Sequence, residues 1–480
     1  MEQKTVHNNT TATAANRTQD AESPVTLTQR LGRGGVNLCR LVLGLVFVFS
    51  GFVKAIDPLG TQYKIQDYLT AIGLGGVVPD LLTLGTSVVL AAVEFCLGIF
   101  ILFAIRRRLC SKIMLVFMVG MTLVSLWLVL FNPVTDCGCF GDAIRLTNTQ
   151  TLLKNLVLMV PAIVLGRWPL KMYRFISKTN QWIAINFTIL FIFITSLYCL
   201  YRLPIFDFRP YHIGANIKKS MEIPEGAEQP KFVTTFIMEK DGVRKEFGLD
   251  NYPDSTWQFI DSKTTQISEG FVPPIHDFSI QAAEGDDITD TVLSRRGYTF
   301  LLISPHLENA DDSNFGAIDY IYEYAQEQKI PFYCLTASTE RAIKHWEDIT
   351  GAEYPFYMTD ATALKTIIRS NPGLLLLKDG VVIGKWGHNN LPKADVLQGP
   401  LEKTTIGHMP NDSIGKTLTQ VLLWFFLPLI FLSLADRTWA WSRYIRLKIR
   451  KEEAFLEKES EQIENTSNKI ISTFKKEKQK

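Results

Sequence analysis

Seven cysteines in 480 residues are too few for a disulfide-dense scaffold, and 31 glycines with 21 prolines are too few for a collagen-like or low-complexity chain. An excess of one charge is also missing. Fifty Lys and Arg face 48 Asp and Glu, a net of +2, which leaves no overall basis for nucleic-acid binding. With 47% hydrophobic and 20% charged residues, the chain does not lack the apolar content needed to fold, and its length excludes a single small domain. These averages conceal segregation, because the long uncharged apolar runs crowd the first two hundred residues and recur once after residue 415.

A hydrocarbon core about 30 Å thick takes roughly 20 apolar residues of helix. Val36–Val53, Leu82–Ile105, Ile113–Phe131, Leu152–Trp168, Trp182–Leu203 and Leu418–Ala435 approach that length, so residues 34–203 are expected to form a five-helix membrane domain and residues 416–435 a sixth span. Short basic loops stay cytoplasmic. Arg30, Arg33 and Arg40 flank the first span, Arg106, Arg107, Arg108 and Lys112 follow the second, and Arg167, Lys171, Arg174 and Lys178 follow the fourth. This predicts an inner-membrane protein with both termini in the cytoplasm and residues 204–415 on the outer, periplasmic side. Residues 1–30, rich in Thr, Asn and Ala, are expected to be a disordered lead, the first span an uncleaved signal anchor, and residues 436–480 a basic cytoplasmic tail.

Between Pro204 and Lys416 the pattern is that of a folded external domain. Phe232–Met238, a Lys240-Asp241-Gly242 turn and Val243–Phe247 predict a hairpin within a β-rich stretch at 204–269. Strands at Tyr298–Ser304, Pro331–Leu335 and Pro355–Met358 then alternate with helices at Phe315–Gln328, Thr339–Ile349 and Ala361–Ile368, before a hairpin of Leu374–Leu377 and Val381–Trp386. Such alternation predicts an α/β sheet with covered faces. From Pro274-Ile275-His276-Asp277-Phe278 through Asn371-Pro372 to Lys378-Asp379-Gly380, residues 270–400 resemble a thioredoxin-fold domain. That resemblance implies a cis bond before Pro372. It also implies a Cys-x-x-Cys after Ser304, where the chain instead reads Pro305-His306-Leu307-Glu308-Asn309-Ala310. The domain is therefore expected to lack thiol chemistry of its own, with His306 either a substitute group or an ordinary polar loop residue, and Cys334 an inert residue in a buried strand.

Two cysteines stand close together, in Asp136-Cys137-Gly138-Cys139-Phe140-Gly141-Asp142 at the outer end of the third span. Residues two apart can reach the roughly 4.4–6.8 Å Cα separation of a disulfide, and strained disulfides exchange more readily than they staple. Asp136 and Asp142 would raise a thiolate's pKa. Three readings of this loop stand: a redox pair, a structural turn built on Gly138 and Gly141, and half of a metal site, for which no third soft ligand is evident although zinc wants four.

Cys137-Gly138-Cys139-Phe140-Gly141 resembles the signature of the MauE family, membrane proteins of methylamine utilisation associated with disulfide formation in a periplasmic dehydrogenase. Arg40-Leu41-Val42-Leu43-Gly44-Leu45-Val46-Phe47, Ser50-Gly51-Phe52-Val53-Lys54 and Asp57-Pro58 resemble the opening of the related DoxX-type proteins. The whole order of segments is similar to that of Bacteroidetes proteins joining a DoxX/MauE unit to a thioredoxin-like domain. The resemblance implies a redox-associated membrane protein whose Cys137 and Cys139 relay oxidising equivalents between an acceptor, with quinone the candidate cofactor, and a thiol-containing periplasmic client. A non-catalytic scaffold that binds a partner through the external domain is the alternative.

Glu94, within the second span, is costly to insert and should face a partner inside the bundle. Arg40 is the expected one, either as a structural ion pair or at a proton or quinone-headgroup site. Residues 204–415 carry 19 basic and 31 acidic side chains, a net of −12, which leaves +14 for the rest. The near-neutral total is thus an acidic external domain set against basic loops and tail.

Overall fold

The structure, a computed structural model, describes residues 27–134, 136–227, 231–240, 243–248, 258–268, 270–410 and 414–477. The described residues form two compact units, one within Met1–Ala55, Thr61–Ile194 and Ser413–Lys480, the other within Ile56–Gly60 and Thr195–Asp412. The lead expected over residues 1–30 falls outside the described residues up to position 26.

Among the described residues six helices are long and apolar enough to cross a membrane. They lie in α1 (Leu27–Ile56), α3 (Asp80–Leu102), α4 (Arg107–Phe131), α5 (Asn148–Arg167), α6 (Gln181–Tyr201) and the closing helix Ile414–Glu477, while α2 (Pro58–Ala71) is a further, more polar helix. Outward-facing Leu126, Leu130, Leu153, Val157 and Val160 are exposed, as lipid contact requires. Buried polar groups join neighbours inside the bundle. Asn155 Nδ2 donates to Ser125 Oγ at 2.7 Å between α5 and α4, and Asp436 accepts from the Ser177 amide and from Asn180 Nδ2, tying the closing helix to the α5–α6 connection.

Two helical segments extend beyond the apolar runs. The segment after the first span contains α2, because Pro58 suits a first helical position and Asp57 Oδ1 accepts the Gly60 amide at 2.9 Å. The sixth span extends well past its apolar run. It continues as one helix to Glu477, since residues 436–477 contain neither Gly nor Pro and are rich in Arg, Lys and Glu, strong helix formers.

The second unit contains α7 (Ile217–Met221) and two sheets. The smaller one is antiparallel, in order β2-β1-β3, from β1 (Lys231–Lys240), β2 (Val243–Gly248) and β3 (Gln258–Ser268). Lys240 pairs with Val243, and turn residues 241 and 242 lie outside the described residues. The larger sheet has order β6-β5-β4-β7-β8. It is built from β4 (Tyr298–Ser304), β5 (Phe332–Thr336), β6 (Phe356–Met358), β7 (Gly373–Lys378) and β8 (Val381–Gly387), with α8 (Thr289–Leu293) ahead of β4 and α9 (Phe315–Glu327), α10 (Glu340–Thr350) and α11 (Ala361–Ile367) between later strands. β4, β5 and β6 run parallel, while β7 opposes β4 and β8 opposes β7. Every residue of β4 is buried, the mark of a central strand covered on both faces. One apolar core gathers Phe300, Leu302, Trp346 and Leu374, and the other gathers Leu301, Ile303, Leu364 and Leu375. Asp360 caps α11 by accepting the Thr362 and Ala363 amides.

Within this unit Asp207 accepts from Lys385 Nζ and Arg209 Nε, each at 2.7 Å. Burial raises the Asp207 carboxyl, but Lys385 and Arg209 outweigh it and hold the group below the carboxylate range. A lowered carboxyl contributes stability above its ordinary value of about 3.9, and that contribution is lost as pH falls through the native value. Asp207→Asn is expected to destabilise the full chain by about 1.5–3 kcal/mol at neutral pH. It is also expected to flatten the acid limb of a plot of melting temperature against pH, which thermal unfolding of the purified protein would read.

Candidate functional site

Close contact between α1 and α3 sets the site. A Cβ on Gly51 would lie 2.8 Å from the Ala91 carbonyl oxygen, and one on Gly98 would lie 2.9 Å from the Gly44 carbonyl oxygen. Only glycine allows that approach. Gly51 therefore faces Ala91 and Phe95 while Gly44 faces Gly98 and Leu102, an antiparallel register.

This register changes the partner of Glu94. Lys54 Nζ lies 2.7 Å from both Glu94 carboxylate oxygens, and the two side chains are only 4% and 3% exposed. Arg40, the expected partner, instead donates to the Tyr173 carbonyl at 2.6 Å and stacks its guanidinium 5.1 Å from the Phe175 ring. The correction has a geometric cause. A register that places Gly44 beside Leu102 puts Arg40 opposite position 106, 12 residues from Glu94, or about 18 Å at 1.5 Å per residue. Lys54 falls within one turn of it.

From this pair a hydrogen-bonded path reaches the cysteine loop. Ser50 Oγ lies 2.7 Å from Glu94 Oε2 and 2.7 Å from the Cys139 carbonyl oxygen, and it accepts from Lys54 Nζ at 3.2 Å. A hydroxyl has one proton to donate, so Ser50 gives it either to the carboxylate or to the loop. Lys54, supplying protons to both Ser50 and Glu94, permits the second arrangement.

The loop between α4 and α5 is held on several sides. Asn148 Nδ2 donates to Asn132 Oδ1 and to the Val134 carbonyl, both at 2.8 Å, and Thr147 with Gln150 forms a capping box at the start of α5. From α2, Tyr68 Oη donates to the Cys137 carbonyl at 2.8 Å, and Lys64 pairs with Asp136. Gly138 and Gly141 have φ of +64° and +52°, left-handed values that favour glycine. The Cys137 and Cys139 sulfurs are brought together with their Cα atoms 5.4 Å apart, within the span of a disulfide. Both residues are buried beside Leu128, with Tyr68 and Trp127 packed against them.

Behind the loop is a cavity of about 30 Å³, lined among others by Ser50, Lys54, Glu94, Cys139, Lys154 and Asn155. It is large enough for about one or two water molecules, and it has the polar partners they need. Lys154 Nζ stands 4.4 Å above the Phe140 ring centroid. Tyr68 and Lys154 were not singled out from the sequence, and Ser50 and Lys54 were noted only as part of the Ser50-Gly51-Phe52-Val53-Lys54 stretch, although, four residues apart around Gly51, they share a helix face. Among the described residues no group of three or more His, Cys, Asp or Glu side chains is placed to hold a metal ion.

In the second unit the Asn371–Pro372 bond is cis. Ser304 Oγ donates to Asn371 Oδ1, and Asn371 Nδ2 donates to the His306 carbonyl, both at 2.7 Å. Burial and nearby Lys365 hold the His306 imidazole below its usual value, and burial pushes the Cys334 thiol well up, away from the thiolate that reacts.

Six membrane-length apolar helices, with a buried ammonium–carboxylate pair under a two-cysteine loop, define a multi-pass membrane protein with a polar site inside its bundle. Residues 34–167, which include every group of that site, match the family described as methylamine utilisation protein MauE, so the chain carries a domain of that family. Residues 232–269 match a domain of unknown function, DUF8463. No curated protein and no solved structure matches the chain.

Proposed function

We propose that the chain is a membrane thiol–disulfide exchange protein whose reacting pair is Cys137 and Cys139. The observation that carries this is the juxtaposition of the two sulfurs on a loop whose backbone is held by Ser50 and Tyr68. Exchange proceeds by thiolate attack on a disulfide sulfur through a mixed disulfide. The family description associates such domains with methylamine utilisation, and we place this chain in that kind of process, with a periplasmic thiol client. A membrane quinone is the proposed two-electron acceptor that would reoxidise the pair.

The remaining parts follow the same reading. The membrane unit is taken as DoxX-related, and the distribution of Lys and Arg supports cytoplasmic termini with residues 204–415 in the periplasm. The five-stranded sheet, with its cis Asn371–Pro372 bond against the His306 loop, supports a thioredoxin-like fold. Without cysteine at Pro305–Ala310, that domain would present the client rather than react with it. A scaffold function is the second reading, favoured by the 8% and 7% exposure of Cys137 and Cys139.

Redox titration of the full chain in native membranes separates the two. After equilibration with glutathione mixtures and mass-tag alkylation, the exchange reading expects Cys137 and Cys139 to gain tags together as the mixture becomes reducing, while Cys334 stays constant. A pair that keeps one state across all mixtures would favour the scaffold.

A further inference from the structure

The carboxylates around the cysteine loop are all paired with cations, Asp67 and Asp136 sharing Lys64 of α2. Asp142 pairs with Arg145 at 3.1 Å on the loop itself, and Glu94 of α3 with Lys54 of α1 at 2.7 Å. The tendency of Asp136 and Asp142 to raise a neighbouring thiol is thereby offset. Tyr68, also on α2, uses its hydroxyl on the Cys137 carbonyl. Within the cavity behind the loop, two ammonium groups, Lys54 and Lys154, stand with one carboxylate, Glu94. Lys154 of α5 borders the same cavity as Cys139, and no carboxylate among the described residues lies within ion-pair distance of it. Its ammonium rests over the Phe140 ring, a contact that holds a cation but does not neutralise it. With Glu94 engaged by Lys54, the second ammonium of the cavity calls for an anion, and Cys139 is the cavity-lining group that can become one.

Resting on the exchange reading, we infer that Lys154 is a positioning residue that holds reduced Cys139 as a thiolate, which makes Cys139 the cysteine that carries the mixed disulfide. In the step this implies, a client thiolate attacks Cys139 Sγ and the Cys137–Cys139 bond breaks, with its electron pair leaving on Cys137, which takes up a proton. A second client thiolate then attacks the client sulfur of the mixed disulfide, and Cys139 departs as a thiolate whose charge Lys154 offsets. The client dithiol is oxidised to a disulfide and the cysteine pair is reduced by the same two electrons. A lower leaving-group pKa speeds the second step, so the second ammonium serves the reaction where charge develops on sulfur.

The test is the pH profile of iodoacetamide alkylation at Cys139, followed by peptide mass spectrometry in the full-length Cys137→Ser chain reconstituted in vesicles. The midpoint carries the result, because the absolute rate also includes opening of the loop. Lys154→Met and Lys154→Gln are each expected to raise the midpoint by about one pH unit, about a tenfold slower reaction at pH 7, and Lys154→Arg is expected to keep it. Either neutral variant serves if the other fails to fold. An unchanged midpoint in the neutral variants would overturn the inference. A shifted midpoint in a chain whose wild-type pair never exchanges in the glutathione titration would keep the thiolate assignment and remove the functional reading instead.

Discussion

Replacing Glu94 with alanine is expected to destabilise the chain by about 3–5 kcal/mol, the cost of leaving one member of a buried ion pair without its partner. Total stabilities are about 5–15 kcal/mol, so the variant should lose much of its folded population. The reason lies in Lys54, whose side chain is 4% exposed and would keep only Ser50 as an acceptor within the site. Glu94→Gln retains an acceptor and should cost less. The informative comparison is Glu94→Leu with Lys54→Met, because removing both charges leaves no stranded ammonium and should recover most of the loss. Thermal unfolding of the detergent-purified full chain checks this. Equal losses in the single and double variants would mean that Lys54 does not depend on Glu94.

The second large effect is steric. Gly51→Leu is expected to cost about 3 kcal/mol, the upper part of the range for overpacking, because the new side chain meets the backbone of α3 at Ala91 and Phe95, which cannot rotate aside. The helices must separate, and Ser50 and Lys54 move with α1 away from Glu94 and the Cys139 carbonyl. Gly35→Leu on the same helix is the control. Nothing lies within 4 Å of a Cβ there, so a change within about 0.5 kcal/mol is expected. Similar melting temperatures for the two variants would show that the α1–α3 crossing does not require glycine at 51.

These two predictions mark where sequence reasoning reached and where it stopped. The membrane helices were legible because lipid demands roughly 20 apolar residues in a row, a requirement visible without tertiary information. The strand and helix order from Tyr298 to Trp386 was legible for a related reason, since buried strands such as Tyr298–Ser304 read as continuous apolar runs. The Cys137-Gly138-Cys139 loop stood out by adjacency alone. The partner of Glu94 did not, because it depends on how far α3 slides along α1, and that offset is set by the contacts of Gly44, Gly51 and Gly98. Judged by depth in an idealised bilayer, Arg40 fits; judged by register, only Lys54 is close enough. Lys154 was hidden for another reason, as a single lysine within an apolar run has no local signal of what it faces. α2 and β3 were missed because neither carries strong apolar periodicity, and tertiary contacts such as Gln62 with Thr83 hold α2 in place.

The central claim, that Cys137 and Cys139 exchange disulfides with a client, is tested most directly by trapping. Cells expressing the full-length Cys137→Ser chain would be quenched in acid, alkylated and run without reductant. The account predicts a reducible adduct joined through Cys139, present in Cys137→Ser and absent from the variant with both cysteines replaced by serine. Absence of any adduct in the single variant, or an equal adduct in the double variant, would contradict it.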